Sequence, residues 1–178
     1  FVNMTVEAPG GPENAGALGS EHAHAAILVK IFGDEFDFSA PAYQIKSPWI
    51  HFESRDGTTI HKHATGVELE YLFNSLSIGL DDQCYVFPDG KAFCTTDEYS
   101  LKYFINGEAM SDIRNYNIVE DDRILITFGG ETDEQIQEYL KQLDKCHQRP
   151  PELTSKFYCH NVIPLTLLCK IWKIYREY

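Results

Sequence analysis

The stretch Trp49-Ile50-His51-Phe52-Glu53-Ser54, then Arg55-Asp56-Gly57, then Thr58-Thr59-Ile60-His61-Lys62-His63, constrains this chain more than any other part of it. Two runs of alternating apolar and polar residues flank a short glycine-containing loop, which reads as a β-hairpin. Loop length sets the register. A three-residue loop with Gly57 in the left-handed position pairs Ser54 with Thr58, Phe52 with Ile60 and His51 with His61, so that His51, His61 and His63 share one face. A two-residue Asp56-Gly57 loop slips the register by one and sets His51 opposite Lys62, on the other face. The first register is preferred, because it matches Phe52 with Ile60 and turns Lys62 outward.

A second run lies upstream. Ile27, Val29 and Ile31 alternate with Leu28 and Lys30 over residues 25–32, Gly33-Asp34 offers a turn, and residues 35–38 resume the alternation. His22 and His24 extend the face that carries Lys30, away from the Ile27/Val29/Ile31 face. A His-x-His pair on a strand directs both rings to one side of the sheet. His22, His24, His51, His61 and His63 are five of the seven histidines, and they are the candidate ligands of one transition-metal site. Imidazole suits zinc or copper, and Glu21, Glu53 or Asp56 can supply a carboxylate ligand or fix a ring's tautomer. Four imidazoles would close a structural or carrier site, whereas three with an open position would permit water activation. The plainer alternative is that each histidine is an ordinary polar strand residue. No Ser-His-Asp arrangement, glycine-rich phosphate loop or metalloprotease helix motif is present, and nothing singles out Glu53 or Glu68 as a general base, so no catalytic residue is assigned.

Downstream, Thr65-Gly66-Val67-Glu68 has the form of a capping box, and Val67, Leu69, Leu72, Phe73 and Leu76 predict a helix over residues 66–77. Pro88-Asp89-Gly90 centres another hairpin. The same loop length pairs Phe87 with Lys91 and Cys84 with Cys94, which are then placed for a disulfide, with a redox or metal-binding cysteine pair as the alternative. A strand over residues 100–105, the Asn106-Gly107 turn and a strand over residues 122–128 complete the sheet. Thr132-x-x-Gln135 caps a second helix with Ile136, Tyr139, Leu140 and Leu143 on one face, ended by Pro150-Pro151. The expectation is an α+β domain over residues 21–130 built from hairpins and one packed helix, with a lead-in at 1–20, a helix at 131–149 and an extension at 150–178.

Two resemblances bear on this order of elements. Leu101-Lys102-Tyr103-Phe104-Ile105-Asn106-Gly107-Glu108, followed by Val119-Glu120-Asp121-Asp122-Arg123-Ile124-Leu125-Ile126, looks like the ubiquitin-like sulfur carriers of thiamine and molybdopterin synthesis, which implies a β-grasp fold. Those carriers end in a reactive Gly-Gly, whereas Gly129-Gly130 here precedes a helix, so their chemistry does not transfer. Over residues 21–130 the pattern His-x-His-Ala, Thr-Ile-His-x-His-Ala-x-Gly-Val, two separated cysteines and an Asn-Gly hairpin resembles an uncharacterised archaeal family often labelled protein-disulfide isomerase. That label implies a low-pKa attacking thiol with a resolving partner, and this sequence has no Cys-x-x-Cys.

Composition narrows the partners. With 43% hydrophobic and 13% aromatic residues the chain is of globular type, and a formal charge of −12 repels nucleic acid and attracts cations. The end is different: Lys156, Lys170, Lys173 and Arg176 against Glu177 make residues 154–178 basic. Leu165, Leu168, Cys169, Trp172 and Tyr175 line one face of a helix over 165–178, fit to dock on the acidic body, a membrane surface or a protein partner. Homo-oligomerisation is open. Cys146-His147 and Cys159-His160 offer a second, weaker metal motif, and Cys169 is unassigned. The Gly, Ala and Pro of residues 7–20 fit a flexible tether to a membrane anchor, and a Cys84–Cys94 disulfide implies an extracytoplasmic setting. Beside the metal-binding reading stand a thiol-disulfide enzyme and a metal-free interaction module or accessory subunit of a membrane complex.

Overall fold

The computed structural model describes residues 11–147, the side chains through residue 144. The expected helix at 165–178, Cys159, Cys169 and the first half of the lead-in lie outside the described residues, as do the Cys146 and His147 side chains. No helix among the described residues is long and apolar enough to cross a membrane.

The fold is α+β. Its centre is a parallel pair, β1 (Ala23–Ile31) beside β10 (Asp122–Gly129). β4 (Thr59–Lys62) pairs antiparallel with β1, and β3 (Ile50–His51) lies outside β4. On the other side β8 (Ser100–Ile105) pairs antiparallel with β10 and forms a hairpin with β9 (Glu108–Met110). The order is β3-β4-β1-β10-β8-β9, with the short β2 (Asp34–Glu35) turning back on β1. Taken from β4 to β9, this is the second-first-last-third-fourth order of a β-grasp, with first and last strands parallel and the helix α1 (Leu69–Ser75) following the second. A small second sheet holds β5 (Gly79–Leu80), β6 (Cys84–Val86) and β7 (Ala92–Cys94).

β1 and β10 are buried on both faces because the sheet is covered twice. Ala25, Ile27 and Val29 of β1 and Ile124, Ile126 and Phe128 of β10 face the main core with Leu69, Leu72 and Phe73 of α1. Each of those helix side chains, at 1% exposure or less, contributes about 1.5–3 kcal/mol by leaving water. Ala26, Leu28 and Leu125 face the other way, against Ile136 and Leu143 of α2 (Asp133–His147). The α2 cap has the expected form: Thr132 N–H donates to Gln135 Oε1 at 2.9 Å, and Gln135 N–H to Thr132 Oγ1 at 3.4 Å.

The α1 cap does not. Glu68 is the N-cap and makes no side-chain capping bond; Leu69 and Glu70 N–H donate instead to Tyr116 and Arg114 carbonyls, both at 2.9 Å. Thr65 serves the chain before β1: Gly16 N–H donates to Thr65 O at 2.8 Å and Gly19 N–H to His63 O at 2.7 Å. Residues 11–20 therefore include backbone fastened along residues 63–65. The helix ends at Ser75 with Leu76 as C-cap, and Ser77, φ 59°, turns the chain so that Ile78 N–H closes on Phe73 O at 2.9 Å in a Schellman-type turn.

The β3–β4 register is the expected one, His51 opposite His61, but the loop reaches it differently. Ser54 and Arg55, both at φ 57°, take the left-handed positions. Gly57 is required by close approach: a Cβ there would lie 2.4 Å from Ser39 N. Asp56 Oδ1 accepts from Thr58 N–H at 2.8 Å and closes the turn. Lys62, expected to point outward, is completely buried. Opposite Ala23 on β1 and Ile50 on β3, it must face the core side once His61 faces the other. Its ammonium donates to Asn117 Oδ1 at 2.6 Å and to Ile118 O, and meets Glu21 Oε2 at 2.9 Å.

Candidate metal centre

Strand register builds the site. His24 on β1 pairs with His61 on β4, and His61 with His51 on β3, so three histidines form one row across three neighbouring strands. His22 and His63 lie two positions further along on the same face. This is the face of Ala26 and Leu28, which α2 covers further along β1. The rings form a closed circuit, with centroids 4.7 Å apart for His22–His24 and His24–His61, 6.2 Å for His61–His51, and 4.9 Å for His51–His63 and His63–His22.

Within that circuit, His22, His24 and His61 each offer a ligand atom within 4.8 Å of the other two. His51 and His63 are in ring contact with this group but outside it. Exposure falls across the row: the His24 side chain is 36% exposed, His61 17%, and His51 is buried.

Two carboxylates flank the rings. Glu120 accepts from His24 N–H at 2.8 Å through Oε2, and its Oε1 lies 3.2 Å from His24 Nδ1. A proton on Nδ1 makes that contact a hydrogen bond and leaves Nε2 free to bind an ion. The loop carrying Glu120 is itself held: Asp121 N–H donates to His24 O at 2.9 Å, and the buried Asp122 carboxylate accepts from Tyr116 OH at 2.9 Å and Val119 N–H at 2.8 Å. Glu53 reaches His51 Nε2 at 3.3 Å and His61 Nδ1 at 3.6 Å. The other two acidic candidates are engaged elsewhere, Glu21 on Lys62 and Asp56 in its own turn.

The electrostatics favour ligand-ready forms. Burial holds the His61 and His63 imidazoles below the usual histidine value, with neighbouring histidines adding to the effect and Glu53 opposing it. Burial pushes the Glu53 carboxyl up, but His61, His51 and His63 outweigh it and hold the group below the ordinary carboxylate range. Glu120 is held down likewise by the backbone and ring of His24, against burial. Neutral imidazoles beside ionised carboxylates are the states that a cation requires.

Sequence reasoning missed Glu120 and the burial of Lys62. Glu120 is 96 residues from His24, and no local spacing announces it. In the sequence, Val119-Glu120-Asp121-Asp122 enters only through the resemblance that implies a β-grasp fold. Cys84 and Cys94 lie in the second sheet, opposite one another, with sulfurs 2.08 Å apart as a disulfide.

No protein-family model, no curated protein and no solved structure matches this chain.

Proposed function

We propose that this domain binds a transition-metal ion, zinc or copper, through histidines on the α2-bearing face of its β-grasp sheet, as a structural or carrier site. The observation that carries the reading is the approach of the His22, His24 and His61 ligand atoms to within 4.8 Å of one another. Ligand nitrogens around a tetrahedral ion with bonds of 2.0–2.1 Å stand about 3.3 Å apart, so modest ring rotations suffice. An all-imidazole set fits zinc and copper better than magnesium or calcium.

The same reading sets the domain outside the cytoplasm, where a Cys84–Cys94 disulfide persists, and gives it kinship with the archaeal family that its His-x-His-Ala segments resemble. With both cysteines joined across a hairpin and no Cys-x-x-Cys, thiol-disulfide exchange is the weaker account.

The test is competition for zinc against a chromophoric chelator, with the parent and His61→Ala. Loss of a ligand is expected to weaken binding by on the order of 100-fold or more, beyond the 10–100-fold typical of outer-sphere partners. Equal affinity in the two proteins would refute the site.

A further inference from the structure

Five imidazoles and a carboxylate are more than one tetrahedral ion takes up, and their geometry divides them. His51 and His24 sit on the outer strands of a three-strand row, so their Cα atoms lie roughly 10 Å apart. The His51 ring is also pinned. Its Nδ1 is 2.6 Å from Ser47 O, and a carbonyl only accepts, so Nδ1 carries a proton. With Nδ1 so occupied, Nε2 of a neutral ring would be a bare lone pair. That lone pair faces Glu53 Oε2 at 3.3 Å from a side chain that is 8% exposed. Two acceptors face each other there, and a positive charge between them resolves the conflict.

The other Glu53 oxygen lies 3.6 Å from His61 Nδ1. The 3.3 Å between His51 Nε2 and Glu53 Oε2 is close to the roughly 3.3 Å between neighbouring ligand atoms on a tetrahedral ion. The His63 ring lies beside this pair, its centroid 4.9 Å from that of His51.

We propose that the face holds a second divalent cation, bound by His51 Nε2, the Glu53 carboxylate and His63, with His61 standing between it and the His22/His24 ion. This rests on the metal-binding reading above and adds a neighbouring site of different chemistry. The first group offers imidazole alone, whereas the second adds a carboxylate. It therefore suits zinc and discriminates against copper(I) more than the first does. The rival occupant of the gap is a proton, which makes His51 and Glu53 a simple ion pair.

Zinc titration of the full chain, followed by calorimetry and by elemental analysis after desalting, separates these outcomes. Glu53 is 39% exposed, so Glu53→Gln keeps shape and fold, and thermal melting of the metal-free variant checks this. The proposal expects two zinc ions per chain in the parent and one in Glu53→Gln. It also expects one in His22→Ala/His24→Ala, where the remaining ion depends on Glu53. One zinc in the parent, whatever Glu53→Gln does, overturns the second site and leaves the first reading intact. No zinc in the parent overturns both. Two zinc ions that both survive Glu53→Gln at unchanged affinity overturn the assignment of Glu53.

Discussion

Replacing Lys62 with methionine tests how the fold supports the histidine face. The Lys62 ammonium has no exposure and three partners: Asn117 Oδ1, Ile118 O and Glu21 Oε2. Its three N–H donors are thus matched one to one. Lys62→Met keeps the apolar stem but leaves the Ile118 carbonyl and the Asn117 amide oxygen unpaired. Each costs about 1–3 kcal/mol if it stays dry. Relief from holding a buried ammonium offsets part of that, and Glu21, 28% exposed, can rehydrate. The net expectation is a loss of about 2 kcal/mol, or roughly 4–8 °C in Tm for a chain of this size. Asn117 and Ile118 lie in the loop that delivers Glu120 to His24, so metal affinity should fall with stability. Differential scanning calorimetry of the metal-free protein and a zinc competition titration read the two effects. A variant that melts within a degree of the parent and binds zinc equally would refute the role given to Lys62.

Further expectations follow from the same geometry. Glu120→Gln keeps an acceptor for His24 but removes the charge; zinc affinity should drop about 10–100-fold with little change in metal-free stability, as read by competition titration and melting. Because His61 and His63 titrate below the ordinary 6.5 when folded, the unfolded chain takes up protons first as pH falls. Metal-free stability should therefore be full above about pH 6.5 and decline below it, and a denaturant midpoint rising on acidification through that window would contradict the assignment. Reducing Cys84–Cys94, 10 residues apart, should cost about 2–3 kcal/mol by the loop-entropy relation. Zinc stoichiometry should not change, because the bridge lies in the second sheet.

Legibility in the sequence tracked how local the physics was. The His51–His61 and Cys84–Cys94 registers could be read because alternation and loop length act over a few residues. The α2 box was legible for the same reason. Thr65-Gly66-Val67-Glu68 had the identical signature, yet the segment between His63 and Thr65 was already engaged by Gly16 and Gly19, and carbonyls of Arg114 and Tyr116 took over the helix start. Tertiary partners outcompeted the local cap. The preferred register carries the expectation that Lys62 faces outward, yet that same register, by aligning the histidines on one face, turns Lys62 to the other, which is the core. Only a partner set assembled from Glu21, Asn117 and Ile118 makes that tolerable. The two His-x-His pairs marked one face, but their convergence depended on β1 and β4 becoming neighbours, which no hairpin dictates.

The central claim, a metal ion on the His22/His24/His61 group, is tested most directly by elemental analysis of the chain purified without an affinity tag or added metal, beside His24→Ala/His61→Ala. The account predicts zinc or copper at one equivalent or more in the parent and its loss in the variant. No metal in either protein, with no uptake on titration with zinc or copper, would contradict it and leave the histidine face as a polar surface for a partner.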